Sequence, residues 1–143
     1  MKINIKKLDE RATLPTYATE GSSGFDFAAI ERVEIRPGVP RLIRTGIAME
    51  IPLGYELQIR SRSSLALKTK LRIAPGIGTV DSDYREEIFI MLENTDPDGK
   101  AFVIAKGDRI AQGVIVPVLK VELTEVTELT ETSRTGGFGS TGR

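Results

Sequence analysis

The sequence predicts an all-β chain, a barrel or sandwich of many short strands. Three observations carry that prediction: apolar residues recur with a period of two, turn signals interrupt them at close spacing, and only one short stretch suits a helix. The alternation is visible at Ile3 and Ile5, at Tyr55, Leu57 and Ile59, and at Ile88, Ile90 and Leu92, with Phe89 and Met91 between the last three. Val121 and Leu123 repeat it later in the chain. Successive side chains of a strand face opposite ways, so each run predicts one buried and one outer face. The interruptions are Gly21–Gly24, Arg36-Pro37-Gly38, Pro52-Leu53-Gly54, Pro75-Gly76, Asp96–Gly99 and Lys106-Gly107-Asp108, all built of residues that favour tight turns. A helix of at most two turns fits Ser63–Lys70, with Ser63 or Ser64 able to cap it.

With 143 residues the chain suits one domain with a real core. Hydrophobic residues make up 40% and charged residues 28%, the balance of a folded globular protein. The stretch Gly113–Leu119 is far too short to span a bilayer, and Met1–Leu8 lacks the apolar run of a secretory signal. A cytoplasmic protein with no membrane partner is the expectation. Residues 132–143, TSRTGGFGSTGR, differ in kind from residues 1–131: no periodicity, four glycines, several hydroxyls and one aromatic ring. Such a composition predicts a flexible C-terminal tail, either an ordinary loose terminus or a lid that orders over a ligand.

Cysteine and histidine are both absent. That excludes disulfides, thiolate and imidazole metal sites, a Ser-His-Asp triad and a histidine general base. Acid–base work falls to Asp, Glu, Lys or Tyr, and a bound metal must be a hard, oxygen-ligated ion, magnesium first. The 20 basic and 20 acidic residues cancel, so no broad nucleic-acid footprint is expected. Locally they do not: between Glu56 and Asp81 there is no acid, while Arg60, Arg62, Lys68, Lys70 and Arg72 lie inside. A short one-sided stretch suits either a compact anion or a solvated basic edge.

Two segments carry candidate chemistry. In Arg60-Ser61-Arg62-Ser63-Ser64-Leu65-Ala66, Arg60 and Arg62 share a strand face if extended, and the serines sit where a strand would give way to a helix. Guanidinium, hydroxyls and unpaired amides together make a phosphate cradle, although N-capping accounts for the serines equally well. In Gly76–Arg85, two glycines precede Thr79-Val80, and Asp81 and Asp83 fall on one face if the segment is extended. Gly76–Val80 suits a hairpin that approaches a flat ligand, and a carboxylate next to a polarised water is the natural base in a chain without histidine. A turn-capping role explains either aspartate, and a half-buried strand position explains Tyr84.

Five segments in order then resemble the motifs of the homotrimeric dUTPase family. They are Ser23-Gly24-Phe25-Asp26-Phe27-Ala28-Ala29, Arg62-Ser63-Ser64-Leu65-Ala66, Gly78–Arg85, Gly107-Asp108-Arg109-Ile110-Ala111-Gln112 and Gly136-Gly137-Phe138-Gly139-Ser140-Thr141-Gly142. The stretch from Thr45-Gly46-Ile47 to Ile51-Pro52-Leu53-Gly54 is similar to the family as well. The resemblance implies a distorted, jelly-roll-like antiparallel β-barrel, assembled as a homotrimer with shared active sites, that hydrolyses dUTP to dUMP and pyrophosphate with Mg²⁺. Asp81 would activate the attacking water, and Arg62, Ser63, Ser64 and Gln112 would hold the phosphates. Asp26 would hold Mg²⁺ through water. Gly76, Gly78, Thr79 and Val80 would read uracil, and Tyr84 would stack under the deoxyribose and reject a 2′-hydroxyl. On the tail, Phe138 would cover the base while Arg134, Ser140 and Thr141 reach the phosphates.

The chain departs from the family pattern at three places. Glu86 stands where a glycine is usual, Ser133-Arg134 sets the tail arginine one residue nearer the aromatic, and Pro75, which has no N–H to donate, stands where some relatives contact uracil with a side chain. Two other functions are compatible with parts of the pattern: a dCTP deaminase, alone or bifunctional, of the same superfamily, and a non-catalytic nucleotide-binding regulatory module.

Overall fold

The computed structural model describes residues 1–136, and the statements below concern these. The strands build the expected distorted antiparallel barrel. Its organising element is β12 (Arg109–Pro117), which pairs with β3 (Phe25–Ala28) on one side and β7 (Tyr55–Arg60) on the other. β2 (Thr16–Tyr17) lies beyond β3, and β9 (Gly78–Val80) beyond β7, completing a five-stranded sheet with β9 at its edge. A second sheet runs β5 (Arg41–Arg44), β10 (Phe89–Asn94), β8 (Leu71–Ile73). Two antiparallel pairs, β1 (Asn4–Lys7) with β6 (Ile47–Glu50) and β4 (Val33–Ile35) with β11 (Phe102–Ile104), finish the framework. The four sheets are not joined into one closed ring of hydrogen bonds, which is the sense in which the barrel is distorted.

The core follows the alternation. Leu57 and Ile59 of β7 are buried, as are Ile88, Ile90 and Leu92, whereas Phe89 and Met91 face outward. These residues join Phe27, Ile35, Ile43, Ile47, Ile104 and Ile110 in one cluster between the sheets. β12 crosses that cluster at Gly113. A Cβ there would stand 2.6 Å from Phe25 Cε2, 2.8 Å from Phe27 Cε2 and 2.9 Å from Leu57 Cδ1, so two aromatic rings and a leucine occupy the space a side chain would need. Higher up, β12 carries a register shift between Arg109 and Ala111; Ile110 and Ala111 are both buried there, as a bulge permits.

Several expectations are corrected. The helix α1 (Ser63–Lys68) ends two residues early, because Thr69 accepts the chain: its hydroxyl donates to Leu65 O at 2.6 Å and receives the Leu71 amide at 3.0 Å. Neither serine caps it. The N-cap is Arg62, with no side-chain capping bond. Gly76–Val80 is not a hairpin, since β8 pairs with β10 and β9 with β7; the turn between them carries the chain from one sheet to another. Asp81 and Asp83 do not share a strand face, because β9 ends at Val80 and the chain turns, with the Tyr84 amide donating to Asp81 O at 3.2 Å. Ile5 is exposed, since β1 pairs only with β6 at the rim. Val121 and Leu123 form no strand and are exposed, as are Leu119, Val126 and Leu129; the Val118 amide still reaches Gly54 O at 2.8 Å. No helix among the described residues is long and apolar enough to cross a membrane.

A cluster of charges ties the N-terminal segment to β5. Asp9 accepts from Arg11 Nε at 2.9 Å, Arg11 Nη2 at 2.7 Å and the Arg11 amide at 3.0 Å, with Arg44 Nη1 at 3.6 Å. The Arg11 side-chain bonds, then its amide, hold the Asp9 carboxyl well below the ordinary value of 3.8. A depressed carboxyl stabilises the fold above its unfolded value, and that contribution disappears as pH falls below it toward the folded value. Lowering pH from about 5 to about 2.5 should therefore cost the wild type more stability than Asp9→Asn, read as urea midpoints at each pH. Gly113→Ala should destabilise the protein by about 1–3 kcal/mol through overpacking, measured by the same denaturation.

Candidate active site

The strand register gathers three of the motif segments at one end of the five-stranded sheet. Gln112 of β12 lies opposite Asp26 of β3 and opposite Arg60 of β7, so the three stand in one row. Gly24 lets the preceding turn come down on that row: a Cβ there would lie 2.9 Å from Gln112 Oε1 and 3.1 Å from Gly113 O. The Gln112 amide nitrogen donates to Ser61 O at 2.9 Å, fixing the point where β7 gives way to α1.

Asp26 is the electrostatic centre of this end. Its Oδ1 accepts from Arg62 Nε at 2.8 Å and its Oδ2 from Arg109 Nη1 at 3.0 Å, while Arg62 Nη1 donates to Arg109 O at 2.9 Å. Arg62 and Asp26 are mostly buried, with side chains 19% and 14% exposed, so their contact is well shielded from water. Arg62 is thereby held ready beside the exposed hydroxyls of Ser63 and Ser64 at the start of α1. Arg62, Ser64, Lys68 and Arg109 line one shallow cleft. The basic run of the sequence is otherwise dispersed: Arg60 reaches back to Gln58, and Arg72 Nε donates to Thr95 Oγ1 at 3.1 Å. Arg60 and Arg62 therefore do not act as a pair.

The third motif builds a different surface. Gly78 packs β9 closely on β7, with room for no more than 3.1 Å between a Cβ and Ile59 Cβ. As an edge strand β9 leaves outward-facing backbone N–H and C=O groups without a neighbouring strand. In the turn before it, Gly76 has φ +81°, a value that favours glycine, and its amide donates to Ile73 O at 2.9 Å. Thr79, Val80, Asp81 and Tyr84 line a cleft together with Leu42 and Phe89 of the second sheet. Asp81 is exposed, and its carboxylate makes no hydrogen bond or ion pair among the described residues. Tyr84 is 39% exposed, and its hydroxyl donates to Glu87 O at 2.9 Å. Glu86 stands in a segment closed by side chains, with Arg85 Nη1 donating to Ser82 O at 2.7 Å and Tyr84 O at 3.0 Å.

The clefts at α1 and at β9 share no residue, so one chain does not bring Arg62 and Ser64 together with Asp81 and Tyr84. On the tail, Arg134 is exposed and among the described residues bonds to its neighbours, from Nε to Gly136 O at 3.2 Å and from its amide to Thr132 Oγ1 at 3.4 Å. Phe138, Ser140 and Thr141 lie outside the described residues. Three residues that touch this machinery, Arg109, Arg44 and Glu87, were not singled out from the sequence. Arg109 stands inside the Gly107–Gln112 segment, where its partner 83 positions earlier gave no local signal.

For a metal, Asp26 is the candidate. Guanidinium groups at 2.8 and 3.0 Å occupy the immediate surroundings of both its oxygens, which disfavours direct coordination, yet each oxygen keeps a lone pair that a metal-bound water could use. Among the described residues no group of three or more His, Cys, Asp or Glu side chains is placed to hold a metal ion.

Comparison with known proteins identifies the family. The dUTPase family model matches residues 10–142. The deoxyuridine 5′-triphosphate nucleotidohydrolase of a Hydrogenobaculum species is 55% identical over 144 residues, covering 99% of both chains. Among solved structures, the dUTPase of Staphylococcus bacteriophage 80alpha with dUPNHPP superposes with a TM-score of 0.89 at 30% identity, covering 99% of this chain and 98% of that one. A mutant dUTPase from phage phi11 of S. aureus, which coordinates a structural Mg(II) ion, superposes at 0.82 with 28% identity over 90% of this chain and 98% of its own. Motif order, strand register and full-length similarity converge: this chain belongs to the dUTPase family.

Proposed function

We propose that this chain hydrolyses dUTP to dUMP and pyrophosphate, with the Asp81 carboxylate activating the water that attacks the α-phosphorus. The observation that carries the proposal is the unpaired state of that carboxylate. Asp81 lies in a cleft beside an edge strand and Tyr84, with no hydrogen bond or ion pair on its carboxylate among the described residues, so it is open to an approaching water. Asp26, by contrast, has a guanidinium on each oxygen and is unsuited to that task.

The chemistry then divides by residue. Water loses a proton to Asp81 as its oxygen bonds to the α-phosphorus, and the bond to the bridging oxygen breaks, its electron pair leaving with pyrophosphate. Arg62, pre-aligned by Asp26, and the hydroxyls of Ser63 and Ser64 hold phosphate oxygens; Gln112 orders the strand-to-helix junction from which they project. Asp26 would hold a magnesium ion through water, and the ion would supply charge neutralisation on the triphosphate. Gly76, Gly78, Thr79 and Val80 present backbone groups to uracil, and the Tyr84 ring lies against the deoxyribose, where a 2′-hydroxyl would clash. Arg134, Phe138, Ser140 and Thr141 belong to a tail that closes over the bound nucleotide, and residues 132–136 are exposed, as a detached tail requires.

The site is completed between subunits of a homotrimer. Two features support this: the phosphate and nucleoside clefts are separate within one chain, and Leu119, Val121, Leu123, Val126 and Leu129 stand exposed in sequence after β12, where a neighbouring subunit can cover them. No observation favours deamination of dCTP or an idle regulatory module over hydrolysis.

A panel of dUTP, dTTP, dCTP and UTP, with and without Mg²⁺, tests the assignment. Pyrophosphate release from dUTP alone is expected; ammonia from dCTP, or binding without turnover, would replace the proposal by a rival. Asp81→Asn should lower kcat about a hundred- to ten-thousand-fold while dUTP binding persists, and unimpaired turnover would remove the base. Deleting residues 132–143 should leave the denaturation midpoint unchanged and most turnover lost, as judged by pyrophosphate assay.

A further inference from the structure

Tyr84 is held by its hydroxyl, and the acceptor is a main-chain carbonyl, that of Glu87, at 2.9 Å. That carbonyl is fixed from its own side chain. The Glu87 carboxylate receives Arg44 Nη2 at 3.0 Å and Nε at 3.2 and 3.3 Å on its two oxygens, and the Gly46 amide at 2.8 Å. The next residue is locked as well, with the Ile88 amide on Ile47 O at 2.8 Å and its carbonyl receiving Thr45 Oγ1 at 2.6 Å. The Glu87 side chain is 11% exposed, so the clamp is shielded from water. Its geometry also requires Gly46: φ there is +66°, and a Cβ would stand 2.9 Å from that of Ala12 and 3.0 Å from that of Asp9. The Thr45-Gly46-Ile47 segment thus has a task that neither the core nor the phosphate site explains.

We infer that Glu87, clamped by Arg44 and the Gly46 amide, is a positioning residue that sets the Tyr84 ring and so determines discrimination between deoxyribose and ribose. Glu87 touches no reacting atom; it acts through the carbonyl that receives the Tyr84 hydroxyl. The inference rests on the proposed role of Tyr84 against the sugar. Loosening the clamp lets the ring retreat from the place a 2′-hydroxyl would fill, so UTP gains relative to dUTP. A purely structural clamp would instead lower stability and depress both substrates alike.

The experiment compares kcat/KM for dUTP with that for UTP in wild type, Glu87→Gln, Glu87→Ala, Tyr84→Phe, the Tyr84→Phe/Glu87→Ala double variant and Tyr84→Ala, with urea midpoints for each. Glu87→Ala should lower the dUTP/UTP ratio about tenfold, the order expected when one hydrogen bond's restraint is lost, with Glu87→Gln between it and wild type. Tyr84→Phe should lower the ratio similarly, and the double variant should fall no further, because both changes cut one tether. An unchanged ratio in folded Glu87→Gln and Tyr84→Phe, with Tyr84→Ala still losing discrimination, overturns the role of Glu87 and leaves that of Tyr84 standing. If Tyr84→Ala also keeps the ratio, the sugar contact itself is wrong and the inference falls with it. Should Glu87→Ala fail to fold, Glu87→Gln and Tyr84→Phe decide alone.

Discussion

The two-sided pairing of β12 is the constraint on which the rest of the molecule depends. Gly113 lies where Phe25, Phe27 and Leu57 converge, so the strands on either side come together over a position with no side chain. That packing fixes the register, and the register sets Gln112 opposite both Asp26 and Arg60. A slip of one residue in β7 would turn Leu57 and Ile59 out of the core as surely as it would scatter the row. Core and candidate site are consequently one problem in this chain: the apolar contacts that stabilise the sheet also align polar groups 86 positions apart, from Asp26 to Gln112.

The same economy governs the charges. A guanidinium kept largely out of water needs a partner, and Arg62 has two, the Asp26 carboxylate and the Arg109 carbonyl. Arg109 completes the set from the bulged start of β12. Holding Arg62 in this way reduces the rotamer freedom it would otherwise lose on meeting a phosphate, at the expense of some of its charge being offset beforehand. In the second sheet Arg44 does comparable work between Asp9 and Glu87, bridging the N-terminal segment and the turn after Tyr84.

What could be read from the sequence, and what could not, follows the range of the forces involved. The strands at Tyr55–Arg60 and Phe89–Asn94 were legible because each has one face on the core, and burial imprints a period of two. Val121 and Leu123 carry the same imprint without a strand, because alternation specifies a surface to cover and not which surface covers it. The helix start was legible and its cap was not: a serine in the right place has a choice of partners, and here Ser63 and Ser64 remain exposed. Asp26 was legible through its motif, but its pairing with Arg62 and Arg109 was not, since those partners are 36 and 83 positions away. The shared face assumed for Asp81 and Asp83 failed for a local reason. It presumed that β9 continued, and the strand stops one residue before Asp81.

That early stop has a chemical consequence. A carboxylate on a continuing strand would face neighbouring side chains every second residue, and in a chain with as many basic as acidic groups it would readily find a counter-charge. Leaving the sheet at Val80 frees Asp81 from the ladder and turns it into the cleft beside Tyr84. Asp26 stays on β3, inside the row, and is paired twice. Two identical side chains thus receive opposite environments from the same sheet, one through staying in register and the other through leaving it. In a chain lacking histidine, that difference in backbone path is what leaves one carboxylate open to the cleft and sets a guanidinium on each oxygen of the other.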